Sequence, residues 1–169
     1  MLIDTQRTQI KPFALTDAGF ILQLLNEPTF IQNIGDKGVR NHADARDYLR
    51  TGPMASYQQH SFGLWRVDHK QSHEPIGMCG VLKRAFLESP DLGYALLPQH
   101  CGQGLAFEAC IAVLAYARES LNLDRILAIV SDDNTRSIHL LDKLGFVFEK
   151  NMVMPGAGDP VLLYAVSLS

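Results

Sequence analysis

Residues 92–106 read Leu92-Gly-Tyr-Ala-Leu-Leu97-Pro-Gln-His-Cys-Gly-Gln-Gly104-Leu-Ala106, and this stretch decides the fold. The run from Leu92 to Leu97 is short and apolar, as in a buried strand, and Pro98 ends it. Two glycines then lead into apolar residues at helical spacing, from Phe107 to Leu121. The stretch therefore predicts a sheet strand that turns directly into the N-terminus of a long helix.

A second strand and a second helix follow downstream. Arg125 to Val130 is nearly all apolar and has the length of a strand. The pair Asp133-Asn134 is typical of the start of a helix, and Gly145 is typical of its end. Phe146 to Glu149 and Val161 to Leu168 are predicted to be two further strands that close the chain.

The upstream half alternates helical and extended patterns, so the chain as a whole is predicted to be an α+β (mixed α/β) domain around one sheet. The runs Ile76 to Leu82 and Leu92 to Leu97 are expected to be buried strands of an antiparallel meander. The predicted segments are a helix from Thr16-Asp17 to Glu27-Pro28, a helix from Asn41 to Gly52-Pro53, an extended segment from Phe62 to Val67, a polar turn from Asp68 to Glu74 and a strand from Ile76 to Leu82.

Composition favours one globular domain over residues 1–169, because 169 residues with 47% hydrophobic and 20% charged side chains suit a single core. The formal net charge of −3 predicts no general attraction to nucleic acid. The longest apolar run, Ala109 to Ala117, is too short to cross a bilayer. The first residues lack the pattern of a secretory signal, and three cysteines are typical of reduced thiols, so we expect a cytoplasmic protein.

The glycine-rich turn after Leu97 has the character of an anion site. Unpaired amides at a helix N-terminus attract phosphate, and glycines let a ligand approach the backbone. A strand-to-helix turn also uses glycine for conformational reasons alone, so the turn by itself leaves both interpretations open. It is not a P-loop, because no Gly-Lys-Ser/Thr follows, and it lacks the third glycine of the dinucleotide fingerprint.

A second segment, Asn134-Thr-Arg-Ser137 followed by Lys143-Leu-Gly145-Phe146, stands about thirty residues downstream. Together the two motifs resemble the GNAT superfamily of acyl-coenzyme A-dependent N-acyltransferases. Further segments resemble the branch that acetylates the N-termini of ribosomal proteins, the RimJ/RimL type. These segments are Asp4-Thr-Gln-Arg7 with Lys11-Pro-Phe13 and Asp17-Ala18, Phe62-Gly-Leu-Trp65, Ile76-Gly-Met-Cys-Gly80 and Asp91-Leu-Gly-Tyr94 with Leu97-Pro98.

The resemblance implies a fold, a co-substrate and a binding site. The fold is a single central, mostly antiparallel sheet with helices on both faces, and residues 1–169 form one acyl-CoA N-acyltransferase domain. The co-substrate is acetyl-CoA, and no metal is expected. Backbone amides between Leu92 and Leu97, those of Leu96 and Leu97 in particular, would hold the pantetheine arm, and Asn134 would hydrogen-bond it. The residues implied to hold the pyrophosphate are Gln99, Cys101, Gly102, Gln103, Gly104, Leu105 and Ala106.

The catalytic groups are less evident, because the family often places a thiolate-protonating tyrosine where this chain has Leu141. Ser137, one turn before it, is the substitute candidate; helix capping or contact with pantetheine would explain this serine equally well. Glu88 and Asp91 precede or open the thioester-binding strand, and Asp91 is the candidate general base. Solvated turn carboxylates are the ordinary alternative for both.

Five other positions combine a conceivable chemical role with a simpler explanation. His69 and His73 are spaced like a metal pair, but they lie in a polar turn without further ligands. Cys101 lies near a helix N-terminus, where thiol pKa values fall, yet direct attack by an amine needs no nucleophilic thiol. Tyr94, like Trp65, is either part of the acceptor cleft or a core aromatic.

The predicted function is acetyl transfer from acetyl-CoA to a primary amine that attacks the thioester directly. A peptide N-terminus, possibly that of a ribosomal protein, is the preferred acceptor, and small-molecule amines are the alternative. The segments 26–60 and 151–160 are expected to shape the acceptor site. A catalytically silent acyl-CoA-binding module is the rival hypothesis. The resemblance implies a monomer or a homodimer. Net charge and the short apolar runs predict that the protein binds neither nucleic acid nor membrane.

Overall fold

The computed structural model describes residues 1–156 and 158–169. Within them, eight strands form one sheet. The strands are β1 (Ile3–Asp4), β2 (Thr8–Lys11), β3 (Leu64–His69), β4 (Pro75–Leu82), β5 (Asp91–Leu96), β6 (Arg125–Val130), β7 (Val147–Val153) and β8 (Pro160–Ser167).

The helices fall into two groups, one before β3 and one after β5. A π turn over Arg50–Met54 joins the third and fourth helices, and short 3-10 turns occupy Leu15–Asp17 and Pro98–His100. The α-helices are α1 (Ala18–Leu25), α2 (Pro28–Asn33), α3 (His42–Leu49), α4 (Ala55–His60), α5 (Leu105–Glu119) and α6 (Thr135–Lys143).

The sheet has the order β1-β2-β3-β4-β5-β6-β8-β7. Every neighbouring pair is antiparallel except β5 and β6, which are parallel and share a single register pair, Asp91 with Leu127. Helix α5 connects these two parallel strands, as a crossover requires. The prediction of one mostly antiparallel sheet with helices is confirmed.

Two apolar cores hold the helices to opposite faces of the sheet. Helices α5 and α6 cover one face, where Trp65, Val81 and Val113 are almost fully buried. Helices α1 and α3 cover the other face with a core that includes Ile21 and Leu49. The sheet is therefore buried on both faces around β4 and β5. The parallel strands β5 and β6 separate next to this buried region.

Several of the N-terminal residues that carry the resemblance take part in a network of ion pairs. The guanidinium of Arg66 donates to the carboxylates of Asp17 and Asp68, and Lys11 reaches Asp68 at 2.9 Å. Asp17 also accepts the Ala14 amide at 2.9 Å, which fixes the start of the first helical turn. Both aspartates are buried, so the cations satisfy charges that burial would otherwise penalise.

The segment before β3 differs from its sequence prediction. The expected break at Gly52-Pro53 is wrong, because the chain passes Pro53 in a wide π turn and continues as α4. Pro28 was expected to end the first helix, and it is also the first residue of α2. The first residue of a helix needs no amide proton for a hydrogen bond within the helix, so proline is well tolerated there. Strands β1 and β2 were not predicted; only Ile10 gives that hairpin a fully buried apolar side chain.

Candidate active site

An open strand edge forms where β5 and β6 diverge. Past the Asp91–Leu127 pair no further register pair joins these two strands. The Leu97 amide donates to the Ile76 carbonyl at 2.8 Å, and because the hydrogen-bonding direction alternates, the amides of Tyr94 and Leu96 face away from β4. These amides border the opening and can donate to an amide or carbonyl group that enters it.

The two leucines predicted to contact pantetheine are thus placed differently. Leu96 presents its amide to the opening, as a contact with pantetheine requires. Leu97 has its amide bound to Ile76, its carbonyl bound by the His100 amide and its side chain in the core. The structure therefore leaves the Leu96 amide, and not that of Leu97, available for the proposed contact.

The glycine-rich turn directly follows this edge. Gly102 and Gly104 both have φ +79°, a left-handed conformation that favours glycine. Within the described residues, no acceptor takes the amide protons of Gly102 through Ala106, whereas those of His100 and Cys101 bond back to Leu97 and Pro98. Unpaired amides together with the positive end of the α5 dipole suit a doubly charged pyrophosphate.

The remaining loop residues surround this set of amides. Gln99 is exposed, and its carbonyl accepts the Gln103 side chain at 3.3 Å, which closes the turn. Cys101 is half-buried, with its Sγ 3.7 Å from the Leu97 carbonyl oxygen. Leu105 is buried and anchors the first turn of α5 in the core. The loop is thus fixed at both ends while its backbone stays accessible in the middle.

A residue of the N-terminal hairpin braces this loop. Arg7 donates from Nη1 to the Gln103 carbonyl and from Nε to Glu108, each at 2.9 Å. Thr5 and the Arg7 amide donate to the second Glu108 oxygen at 2.7 Å each. Although partial burial acts to raise it, these hydrogen bonds hold the pKa of Glu108 below its usual value. Arg7 thereby shapes the loop and offsets a carboxylate that would repel a phosphate.

Arg7→Gln is expected to weaken coenzyme A binding roughly three- to tenfold, because the loop loses its brace and Glu108 loses its counter-charge. Lys70→Met is the matched control. Lys70 binds the same hairpin through Asp4 and Thr5 and does not contact the loop. Calorimetric titration of both variants measures the effect. Equal affinities for Arg7→Gln and Lys70→Met would contradict the bracing role.

The second motif brings Asn134 and Ser137 to the other side of the opening. Asn134 caps α6 by accepting the Ser137 amide at 3.3 Å, which leaves its side-chain amide free to donate. The Tyr94 hydroxyl donates to the Ser137 hydroxyl oxygen at 3.1 Å. Burial raises the pKa of Tyr94 well above its usual value, so the phenol stays protonated as a donor. The Ser137 proton is then free for a third partner.

The rest of the second motif is structural. Leu141 is 1% exposed and packs in the α5 core, and its hydrocarbon side chain has no proton to donate to a thiolate. Lys143 lies 4.5 Å above the ring of Phe107, which joins α6 to the first turn of α5. Gly145, at φ +89°, ends α6 as predicted. The two motifs therefore contact each other directly.

Asp91 lies at the closed end of the parallel pair. It is 2% exposed, and both carboxylate oxygens accept from Arg84 Nε, at 3.0 and 3.2 Å. Burial raises the pKa of Asp91 to about 6, although Arg84 acts to lower it. Its role as general base stays a prediction; its contacts favour a positioning role, in which it holds Arg84. Glu88, the other carboxylate considered, is exposed.

Asp91→Asn is expected to change how stability depends on pH. The pKa of the folded-state carboxyl, about 6, lies above its usual value of 3.8, so its protonated form stabilises the fold at low pH and this contribution is lost as pH rises through 6. The linkage amounts to about 2 kcal/mol between about pH 4.5 and 7.5. Asparagine mimics the neutral form, so the variant gains that much relative to the parent at the higher pH. Urea unfolding at both pH values measures it. Parallel pH profiles of the parent and the variant would contradict the raised pKa of Asp91.

A cleft of about 420 Å³ opens on the α1–α4 face of the sheet beside Gly93 and Tyr94. One wall is formed by the π turn and α4, so Gly52 and Pro53 border the cleft instead of ending a helix. Phe30 and Ile34 of the α2 region form part of another wall. The predicted acceptor segment 26–60 therefore lines the cleft, mostly as helices. The second predicted segment, 151–160, contains Ala157, which lies outside the described residues.

Three other sequence candidates lie in ordinary surroundings. His69 ends β3 and His73 lies in the following turn, and within the described residues no group of three His, Cys, Asp or Glu side chains could hold a metal ion. Trp65 is 2% exposed and packs edge-on against Tyr116 in the core. In the described part of the chain, no helix is long and apolar enough to span a membrane.

Sequence comparison gives one family and several relatives. Residues 7–147 match the family described as "Acetyltransferase (GNAT) domain". The chain is 31% identical over 143 residues to the uncharacterized N-acetyltransferase p20 of Bacillus licheniformis, covering 84% of this chain and 80% of p20. It is 34% identical over 85 residues to a [ribosomal protein uS5]-alanine N-acetyltransferase of Escherichia coli, covering 50% and 43% of the two chains. A spermidine N(1)-acetyltransferase of Vibrio cholerae is 29% identical over 79 residues, 46% of each chain.

Solved structures share the fold over nearly the whole chain. A GNAT-family acetyltransferase from Bacillus anthracis superposes with a TM-score of 0.83 at 22% identity and covers 99% of both chains. RimL, a ribosomal L7/L12 α-N-protein acetyltransferase in complex with coenzyme A, gives a TM-score of 0.83 at 17% identity over 99% of this chain and 98% of RimL. At these identities the likeness concerns the fold.

Proposed function

The chain belongs to the GNAT acetyltransferase family, and on that basis we propose that it acetylates the α-amine of a protein or peptide N-terminus, as a RimJ/RimL-type enzyme of one domain over residues 1–169. As a GNAT N-acetyltransferase it uses acetyl-CoA. One observation supports the proposal: three features lie next to one another. They are the open edge of β5, the loop of free amides that follows it and a cleft that reaches this edge at Tyr94. Relatives that act on a ribosomal-protein alanine support the choice of acceptor.

The residues that bind the co-substrate follow from this geometry. The free amides of Gly102 through Ala106 hold the pyrophosphate at the N-terminus of α5. The Leu96 amide and the free side-chain amide of Asn134 fix the pantetheine arm from opposite sides of the opening. When bound there, acetyl-CoA supplies the acetyl group as a thioester. The Tyr94 amide, aimed into the same opening, stabilises negative charge on the thioester oxygen.

The proton relay involves two hydroxyl groups. Transfer forms a carbon–nitrogen bond and breaks a carbon–sulfur bond, so the amine loses a proton and the leaving sulfur gains one. Ser137 gives its proton to the sulfur and takes the phenol proton of Tyr94, 3.1 Å away. The proton that the amine releases to solvent is replaced at Tyr94 through the cleft that this side chain lines. An α-amine with a pKa of about 7.7 to 8.0 is substantially neutral near neutral pH, so its proton passes to solvent without a strong base. A lysine or polyamine amine, with a pKa of about 10.4, would need one.

Free-thiol release from acetyl-CoA tests the proposal. The purified protein is given N-terminal peptides, lysine peptides, polyamines and aminoglycosides in separate reactions, with buffer alone as control. We expect release with N-terminal peptides that exceeds the buffer rate at least about tenfold. Release only with polyamines or other small amines would establish the alternative acceptor class. Coenzyme binding without release for any acceptor would indicate a silent acyl-CoA-binding module.

A further inference from the structure

The acceptor cleft is lined by positive charge. Its charged lining residues among the described residues are Lys37, Lys83 and Arg84, with His60 beside them, and no aspartate or glutamate lines it. Partial desolvation lowers the pKa of Lys37, and repulsion from the nearby Arg84 guanidinium lowers it further. A cleft of this kind repels a polycation and attracts an anion.

The guanidinium of Arg84 is oriented so that it can bind a carboxylate. Asp91 fixes the guanidinium through Nε alone, from a position buried behind it. Its two terminal nitrogens donate no hydrogen bond within the described residues. A guanidinium fixed at Nε presents these donors as a fork that fits a carboxylate. The Asp91–Arg84 pair is therefore suited to orient a cation toward a ligand.

The spacing favours a peptide over a free amino acid. Arg84 is anchored at Asp91, and the opening of the thioester site lies at Tyr94, three residues along β5, or about 10 Å at the usual rise of a strand. An extended peptide covers the same distance in about three residues. The carboxylate of a free amino acid lies on the carbon that carries its amine, so that molecule cannot bridge the distance.

On the basis of the function proposed above, we infer that the acceptor is a peptide N-terminus with an acidic side chain at its second, third or fourth residue, which Lys37 and Arg84 bind.

Matched peptides test this inference. Each has an N-terminal alanine, an amidated C-terminus and, at residues two to four, glutamates, alanines or lysines; spermidine and free glutamate are added as small-molecule arms. We expect kcat/KM for the glutamate peptide to exceed that for the lysine peptide by roughly 10- to 100-fold at low salt. Free glutamate and spermidine should be poorer acceptors than the alanine peptide.

Charge reversal in the cleft provides the control. Lys37→Glu changes an exposed side chain and should remove or reverse the preference for the glutamate peptide over the lysine peptide. Lys150→Glu makes the same change on β7, outside the cleft, and should keep the preference. Equal rates for all three peptides, or a preference for the lysine peptide, would overturn the inference alone. Release with spermidine but with none of the peptides, or the absence of release with every acceptor tested, would overturn the proposed function and the inference together.

Discussion

Gly104→Glu is expected to abolish coenzyme A binding, with at least about a 100-fold loss of affinity. The substituted carboxylate would stand among the unpaired amides of the loop, where the proposed pyrophosphate binds. It would therefore repel the ligand and compete for its hydrogen bonds. Calorimetric titration with coenzyme A measures the loss. An unchanged affinity would contradict the assignment of the phosphate loop.

Two controls separate charge from backbone strain. Gly104 has φ +79°, so any side chain there costs conformational energy. Gly104→Asn introduces a side chain that tolerates this conformation and carries no charge, and it should bind coenzyme A much better than Gly104→Glu. Gly156 has φ +78° and lies in the connection after β7, so Gly156→Glu makes the same change away from the loop. It should leave the affinity at the parent value.

Ser137→Ala is expected to lower kcat by about 10- to 100-fold while coenzyme affinity changes by less than about twofold. We propose the hydroxyl as the proton donor to the sulfur, because Leu141, one turn further along α6, has no proton to donate. Steady-state kinetics with saturating acetyl-CoA, together with calorimetric titration, measures both quantities. A matching loss of affinity and turnover would reduce Ser137 to a contact residue.

The hydrogen bond between Tyr94 and Ser137 allows a second test of the proton relay. Tyr94→Phe removes only the hydroxyl that donates to Ser137, and we expect it to lower kcat less than Ser137→Ala does. If the two hydroxyls act as one relay, the double variant should be little slower than Ser137→Ala. Independent effects that multiply in the double variant would contradict the relay.

The sequence predicts the second half of the fold better than the first. Arg125 to Val130 was predicted as a strand with the bounds that the structure has, because a continuous apolar run after a helix has few alternatives. Gly145 likewise ends α6 as expected. The hairpin of β1 and β2 is stabilised by contacts with Glu108 on α5, which no local pattern reveals. Pro53 was read as a helix break, since a π turn has no sequence signature in its neighbours.

The candidate site shows the same division. The loop of Gly102 and Gly104 could be found from glycine spacing, because the conformation is local and both residues have positive φ. The contact of Tyr94 with Ser137 joins residues 43 positions apart, and no periodicity predicts it. Arg84 was missed for a related reason, since only its pairing with Asp91 makes it part of the cleft. Long-range contacts thus bring residues into the candidate site that no local sequence pattern marks.

The measurement that tests the central claim most directly is thiol release from acetyl-CoA with one peptide in two forms, its α-amine free or already blocked by an acetyl group. The peptide begins with alanine, has glutamate at its third residue and contains no lysine. We predict release with the free peptide and none above the buffer rate with the blocked one, together with one acetyl group on the α-nitrogen by mass spectrometry. Equal release with both forms, or none with either while coenzyme A binds, would contradict an N-terminal acetyltransferase.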